Sequence, residues 1–158
     1  MLKTTLVQYI REQEKLNPGA TGKFTNLMYE ILLGAKFVSL EVNKAGIGEN
    51  IFGLTGDINV HGEEVQKLDR YANETFIKTV GSSGAVCAIT SEECEEPVRI
   101  SPDMAGNYIF MMDPLDGSSN IEVNISIGTI FSIYRKISEG TEVTDEDLLQ
   151  KGKDQVAA

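Results

Sequence analysis

Asp113 and Asp116 stand three residues apart across a Pro-Leu step in Met112 to Ser126, MDPLDGSSNIEVNIS, and Gly117, Ser118 and Ser119 follow at once. The ring of Pro114 fixes its own backbone angle, so the two carboxylates are held as a pair. Paired carboxylate oxygens suit a hard divalent cation such as Mg²⁺, which is bound through one or two carboxylates together with water and substrate phosphate. The small residues after the acids let backbone N–H groups approach an anion closely. Acids beside an anion cradle point to phosphoryl-transfer chemistry. Asp-Pro-Leu-Asp-Gly is equally good as a plain β-turn. The preceding run Tyr108 to Met112, YIFMM, is apolar and suits a buried strand, so the acids emerge at a strand end, where α/β folds build their sites.

A second acidic pair, Glu92 and Glu93, follows a short apolar strand expected at Ala85 to Thr90. Adjacent glutamates ordinarily repel one another and face water. Placed beside Asp113 and Asp116 they would complete four carboxylates, a set suited to two or more Mg²⁺ ions flanking an in-line displacement. Asp69 lies next to Leu68, at the edge of a helical apolar face, as a half-buried site residue or a surface charge. Thr21, Gly22, Lys23 and Thr25 gather hydroxyls, a cation and free N–H groups at a helix start. That is an anion site or a simple threonine N-cap.

These residues need elements to position them. A first helix begins at Thr4 or Thr5, buries Leu6, Tyr9, Ile10 and Leu16 on one side and ends at Asn17-Pro18-Gly19. The second opens within Ala20 to Thr25, carries Phe24, Leu27, Met28, Ile31, Leu32, Ala35, Val38 and Val42 at three- and four-residue steps, and stops at Gly46. Gly46 to Gly62 has no sustained period and reads as a loop or lid. Glu63 to Val80 reads as helix, with Val65, Leu68, Ala72 and Phe76 buried. An edge strand at Val98 to Ser101 follows, then the strand at Tyr108. A further strand spans Val123 to Tyr134, with Gly128 a bulge or close approach. Glu139 to Asp147 reads as a polar surface turn before a short helix at Asp145 to Gln150, and Gln155 to Ala158 as the start of another element.

Composition narrows the classes. The 158 residues are 41% hydrophobic and 24% charged, which suits one ordinary globular domain. Fourteen Lys and Arg against 24 Asp and Glu leave a net charge of −10, the wrong sign for a nucleic-acid groove. No apolar run approaches the ~20 residues of a membrane helix, and Arg11, Glu12 and Glu14 interrupt the one candidate for a signal peptide. Cys87 and Cys94 have neither CxxC spacing nor nearby histidines, and His61 is the single histidine, so zinc is not expected. Free thiols in a reducing cytoplasm are expected instead.

The strings ATGKFTNL, KLDRYANE, ITSEE, MDPLDGSSNIEVN and SIGTIFSIYRK stand in an order and spacing that resembles class I fructose-1,6-bisphosphatase along the whole chain. Strand, Glu-Glu, strand, Asp-Pro-x-Asp-Gly is shared with the wider Mg²⁺-dependent, lithium-sensitive phosphatases, inositol monophosphatases included. Ser118-Ser119-Asn120-Ile121 and SIGTIFSIYR favour the bisphosphatase branch. The resemblance implies an α/β, layered sugar-phosphatase fold with N-terminal helices packed on a mixed β-sheet. It implies Mg²⁺, two or more ions per site with Mn²⁺ as an alternative, on Glu92, Glu93, Asp113, Asp116 and the Leu115 carbonyl. Asp69 with Glu93 would orient and deprotonate the attacking water, and Glu63 matches an acid of a mobile loop that closes over the site. Gly117 and Ser118 would donate N–H groups to the 1-phosphate, Ser119 would lie with them in the substrate site, and Asp116 would also touch the sugar. Thr21, Gly22, Lys23, Phe24, Thr25, Tyr108 and Arg135 match an AMP inhibitor site.

Some positions depart from that pattern. Asn107 stands where many members have Lys, and Lys23 where an acid is common, which implies altered AMP inhibition. Glu122 replaces a usual Asp, with little effect expected. Members are about twice this long, the size of a two-unit chain. Residues 1–158 would then be an incomplete N-terminal domain carrying the metal and AMP sites, inactive alone. The substrate domain would be absent, and one face of the sheet would lack its cover. The expected whole is a cytoplasmic homotetramer that hydrolyses the 1-phosphate of fructose 1,6-bisphosphate in gluconeogenesis, with no nucleic-acid or membrane partner. The rivals are a sedoheptulose-bisphosphatase, an inositol-phosphatase-like enzyme, and a non-catalytic nucleotide- or metal-binding module.

Overall fold

The computed structural model describes residues 3–44, 54–58, 64–119 and 126–158. Helix α1 spans Leu6–Lys15 and starts where Thr5 and Gln8 cap each other reciprocally, the Gln8 N–H donating to Thr5 Oγ1 at 3.2 Å and the Thr5 N–H to Gln8 Oε1 at 2.8 Å. Of its expected apolar face only Ile10 is buried; Leu6, Tyr9 and Leu16 are exposed. Helix α2, Lys23–Lys44, buries Leu27, Ile31 and Val38 along the expected stripe. Its expected stop at Gly46 lies outside the described residues.

Several boundaries differ from the reading of the sequence: the last strand starts at Gly128 rather than Val123, the edge strand ends at Arg99 rather than Ser101, and the short helix ends at Leu148 rather than Gln150, besides the stretch between α2 and the next helix. Strand β1, Leu54–Ile58, falls within the stretch read as loop and pairs antiparallel with β2, Glu64–Gln66. Helix α3 therefore begins at Lys67 rather than Glu63 and runs to Gly81. Leu54 to Ile58 is interrupted by Gly56 and too short to show a period; its strand exists through cross-strand pairing, which no local pattern records. Val65 keeps helical spacing with Leu68 and Ala72, yet that spacing is fortuitous, because its backbone belongs to β2.

The main sheet has the order β4-β3-β5-β6. Strand β3, Val86–Ser91, runs parallel to β5, Tyr108–Asp116, while β4, Val98–Arg99, and β6, Gly128–Arg135, pair antiparallel on either side. The sheet is thus mixed, as expected. Helix α3 lies on it and α2 lies on α3. Phe76 from α3 meets Phe110 from β5 with ring centroids 6.5 Å apart, and Phe110 stacks on Phe131 at 5.7 Å. Phe76 and Phe110 are fully buried, and each such ring contributes about 1.5–3 kcal/mol of burial. Gly106 opens β5 against β3: a Cβ there would lie 2.0 Å from the Ala85 carbonyl oxygen, so no other residue allows this approach.

The second face of the sheet is partly covered rather than bare. Cys87, Ile109 and Tyr134 form a smaller cluster on which Ala105, Met111, Val143 and Leu148 pack. Burial pushes the Cys87 thiol up, so it stays a protonated, inert part of this core. Val143 and Leu148 are held there by Asp147, which belongs to helix α4, Asp145–Leu148, and is fully buried, not the surface acid its polar neighbourhood suggests. Its carboxylate accepts from the Ile137, Ser138 and Thr144 N–H groups at 2.8, 2.8 and 2.9 Å, and from the Ser138 and Thr144 hydroxyls at 2.6 and 3.1 Å. Desolvation would raise its pKa, but these donors outweigh it and hold the carboxyl well below the ordinary carboxylate range. At the other edge of β6, Val156 N–H donates to Ile133 O at 2.7 Å and Ile133 N–H to Ala157 O at 2.8 Å, the expected start of a further element.

Candidate active site

Strands β3 and β5 end side by side. The parallel register pairs Ser91 with Met112, and the Glu92 N–H continues it by donating to Met112 O at 3.1 Å. Glu92 and Glu93 are therefore fixed next to Asp113. Ser91 tightens their turn, its Oγ accepting from Glu93 N–H at 3.3 Å and its carbonyl from Cys94 N–H at 3.1 Å. Cys94 and Cys87 are both free thiols, as expected.

Asp-Pro-Leu-Asp does not turn; it continues β5. Asp113 pairs with Ile130 and Asp116 with Gly128, so β5 carries one residue more than β6 over this interval. This is a bulge, where a proline without an N–H is tolerated. Pro114 and Leu115 are consecutive and both buried, which resets the alternation and returns Asp116 to the parity of Asp113. The extra residue lies on β5 and not, as read from the sequence, at Gly128, which has open space beside it. The motif is pinned twice: Leu115 N–H donates to Asp113 Oδ1 at 3.1 Å, and Thr129 Oγ1 donates to Pro114 O at 2.9 Å. The chain turns at Gly117, whose φ of 84° favours glycine, and Ser118 and Ser119 follow.

Asp69 faces inward from the first turn of α3 and is only 4% exposed, deeper than its place at the edge of an apolar face suggested. A charge buried there is compatible with the positive end of the helix. Asp69, Glu92, Glu93 and Asp113 all engage other groups. Glu63 lies outside the described residues. The donors suit a hard cation by type, being carboxylates and a peptide carbonyl with no histidine. They share one corner of the fold, although among the described residues no three Cys, His, Asp or Glu side chains converge tightly enough to hold a metal.

At the opposite end of β5 lies a cavity of about 720 Å³. Its walls include all seven residues of the expected AMP site: Thr21, Gly22, Lys23, Phe24, Thr25, Tyr108 and Arg135, with Asn107 beside them. The Phe24 and Tyr108 rings are 5.8 Å apart, and the Arg135 guanidinium sits over the Tyr108 ring at 5.7 Å. Helix α1 forms one wall of the cavity through Tyr9, Ile10, Gln13 and Glu14, and it is seated on α2 where Arg11 Nε donates to Tyr29 Oη at 2.9 Å and Thr25 Oγ1 to Glu14 Oε2 at 3.1 Å. Glu14 was not singled out in the sequence, since only the α1–α2 packing brings it to the start of α2. Cations, helix N–H groups and aromatic faces in one hollow can hold an anion that carries a flat ring.

The family model described as fructose-1-6-bisphosphatase, N-terminal domain, matches residues 4–158. The chain is 51% identical over 156 residues to the class 1 fructose-1,6-bisphosphatase of Maridesulfovibrio salexigens, covering 98% of this chain and 46% of that protein. It is 49% identical over 154 residues to the cytosolic fructose-1,6-bisphosphatase of Oryza sativa subsp. indica, covering 98% and 45%. The Leishmania major fructose-1,6-bisphosphatase in holo form superposes with a TM-score of 0.88 at 34% identity, over 98% of this chain and 48% of that one; its T-state gives 0.79, over 99% and 46%. The chain spans about half the length of the relatives it matches. By the match across residues 4–158, the chain belongs to the fructose-1,6-bisphosphatase family, within its N-terminal domain.

Proposed function

We propose that the full-length protein hydrolyses the 1-phosphate of fructose 1,6-bisphosphate, releasing fructose 6-phosphate and phosphate, as a Mg²⁺-dependent step of gluconeogenesis in the cytoplasm. The observation that carries this reading is the corner where Glu92 is tied to the β5 backbone beside Asp113 and Glu93 follows it, with Asp69 buried on α3. Glu92, Glu93, Asp113, Asp116 and the Leu115 carbonyl would hold Mg²⁺, which when bound neutralises phosphate charge. Gly117, Ser118 and Ser119 would receive the phosphate on backbone N–H groups, with Asp116 toward the sugar. Asp69 and Glu93 would orient a water and take its proton. Rate would come from positioning and charge stabilisation without a covalent intermediate.

AMP would bind the second cavity, its phosphate at Thr21 to Thr25 and its base near Tyr108, with Arg135 as counter-charge. Asn107 and Lys23 would alter the strength of that inhibition. Assembly as a homotetramer is supported by an apolar stripe left exposed on α2, Leu33, Phe37 and Leu40 at 41%, 43% and 51%. Among the described residues no helix is long and apolar enough to cross a membrane.

The test is phosphate release by the full-length protein from fructose 1,6-bisphosphate, with Mg²⁺ and with a chelator. Release that requires Mg²⁺ is expected. Faster release from sedoheptulose bisphosphate or inositol monophosphate moves the substrate to a rival, and AMP or Mg²⁺ binding with no release from any of them leaves a binding module.

A further inference from the structure

Asn73 is 9% exposed, and its Oδ1 is buried and accepts no hydrogen bond among the described residues. Its Nδ2 donates to Cys94 Sγ at 3.4 Å, a contact with a weak acceptor that places the amide beside the turn that carries Glu93. Asn73 also lies one helical turn after Asp69, so the two share a face of α3, and both are buried. A buried carbonyl oxygen left without a donor bears its desolvation cost uncompensated. Asparagine in a helix interior adds a propensity cost over alanine. Both are accounted for if a donor arrives at Oδ1 when the protein works.

We propose that Asn73 is a water-positioning residue, whose Oδ1 accepts one hydrogen bond from the attacking water. The inference rests on the hydrolytic reading above. A buried water is sound where it has about two to four polar partners, and here Asn73 follows Asp69 by one helical turn while its amide meets the residue next to Glu93. The amide oxygen is too weak a base to take a proton. One O–H of the water is thereby parked on Asn73, and the other points at a carboxylate of Asp69 or Glu93, which takes its proton. The water oxygen is left with a lone pair directed at phosphorus. As the new P–O bond forms, the P–O bond to the sugar breaks, its electron pair leaves on the sugar oxygen, and that oxygen takes a proton from solvent.

The experiment is steady-state hydrolysis by the full-length protein and three variants, with thermal unfolding of each. Asn73→Ala should lower kcat roughly 10- to 100-fold while KM stays within about twofold, the signature of lost orientation rather than lost binding. Asn73→Asp keeps an acceptor oxygen and should retain at least about a tenth of wild-type kcat, which carries the test if Asn73→Ala does not fold. Cys94→Ala removes the partner of Nδ2 and should leave kcat within about twofold. Wild-type kcat in Asn73→Ala, an equal loss in Cys94→Ala, or a loss beyond about tenfold in Asn73→Asp overturns the assignment. Absence of hydrolysis by the wild-type protein overturns the hydrolytic reading itself, and this inference with it.

Discussion

The two ends of β5 are built differently. At Tyr108 the strand opens into a cavity walled by the Phe24 and Tyr108 rings and by α1, which hydrogen bonds seat on α2. At Asp113 and Asp116 it delivers acids to a corner that they share with Glu92, Glu93 and Asp69, with no three of the described ligating side chains drawn into a cage. The difference is electrostatic. Aromatic rings and a guanidinium attract one another and pack without help, whereas several carboxylates repel and require a counter-charge to close up. One end is thus a formed cavity, and at the other the acids would need a counter-charge, in the proposed reading a cation, to draw together. A single nine-residue strand connects them.

The largest expected effect lies at the acid end. Asp69→Asn keeps shape and removes the proposed base, so kcat of the full-length protein should fall by roughly 10²- to 10⁴-fold. AMP affinity, measured by calorimetry, should stay unchanged. An equal loss at both ends would mean that the substitution unsettles α3 as a whole.

Next comes the support of the cavity end. Arg135 reaches the cavity from the end of β6, and its carbonyl accepts from Gln150 Nε2 at 2.8 Å, close to the loop that Asp147 organises. Asp147→Ala leaves several buried donors without an acceptor and should lower stability by about 2–4 kcal/mol in chemical unfolding. The pH dependence has a definite sign. Because the folded-state pKa of Asp147 lies below its unfolded value, its contribution is complete above the ordinary carboxylate range and is lost as pH falls through the depressed one. The stability gap between wild type and Asp147→Asn should therefore narrow once pH drops below about 4. A gap that widens on acidification would contradict the assignment.

The smallest effect is at the cavity itself. Arg135→Ala removes one exposed counter-charge and its contact with Tyr108, and should weaken AMP binding by roughly tenfold, ~1.4 kcal/mol, with kcat unchanged. Unchanged AMP affinity would move the nucleotide elsewhere.

Much of this was legible in the chain. The α2 stripe, the apolar runs of β3 and β5, and the acids that follow each run are local patterns, and local patterns are what a sequence displays. β1 was not legible, since Leu54 to Ile58 is a strand only because Glu64 to Gln66 lies beside it. The Asp-Pro-Leu-Asp string reads as a turn or a strand end, and the choice depends on β6, whose pairing absorbs Pro114 in a bulge. Asp147 and Asn73 look like ordinary polar residues; their burial is decided by Ser138 and Thr144 in one case and by Cys94 in the other. Of the seven residues of the expected AMP site, Thr21, Gly22, Lys23 and Thr25 stood out by type at a helix start, and Phe24, Tyr108 and Arg135 were added through the family resemblance, while Glu14, which lines the same cavity, needed the helix packing.

The proposed division of β5 into a hydrolytic end and a nucleotide end is tested most directly by Asp116→Ala in the full-length protein, with phosphate release and AMP binding measured on the same sample. Asp116 stands at the exposed end of the strand, eight residues from Tyr108. Release from fructose 1,6-bisphosphate should be abolished, and AMP should bind within about threefold of wild type, under ~0.7 kcal/mol. Retained release, or AMP binding lost together with hydrolysis, would contradict the account.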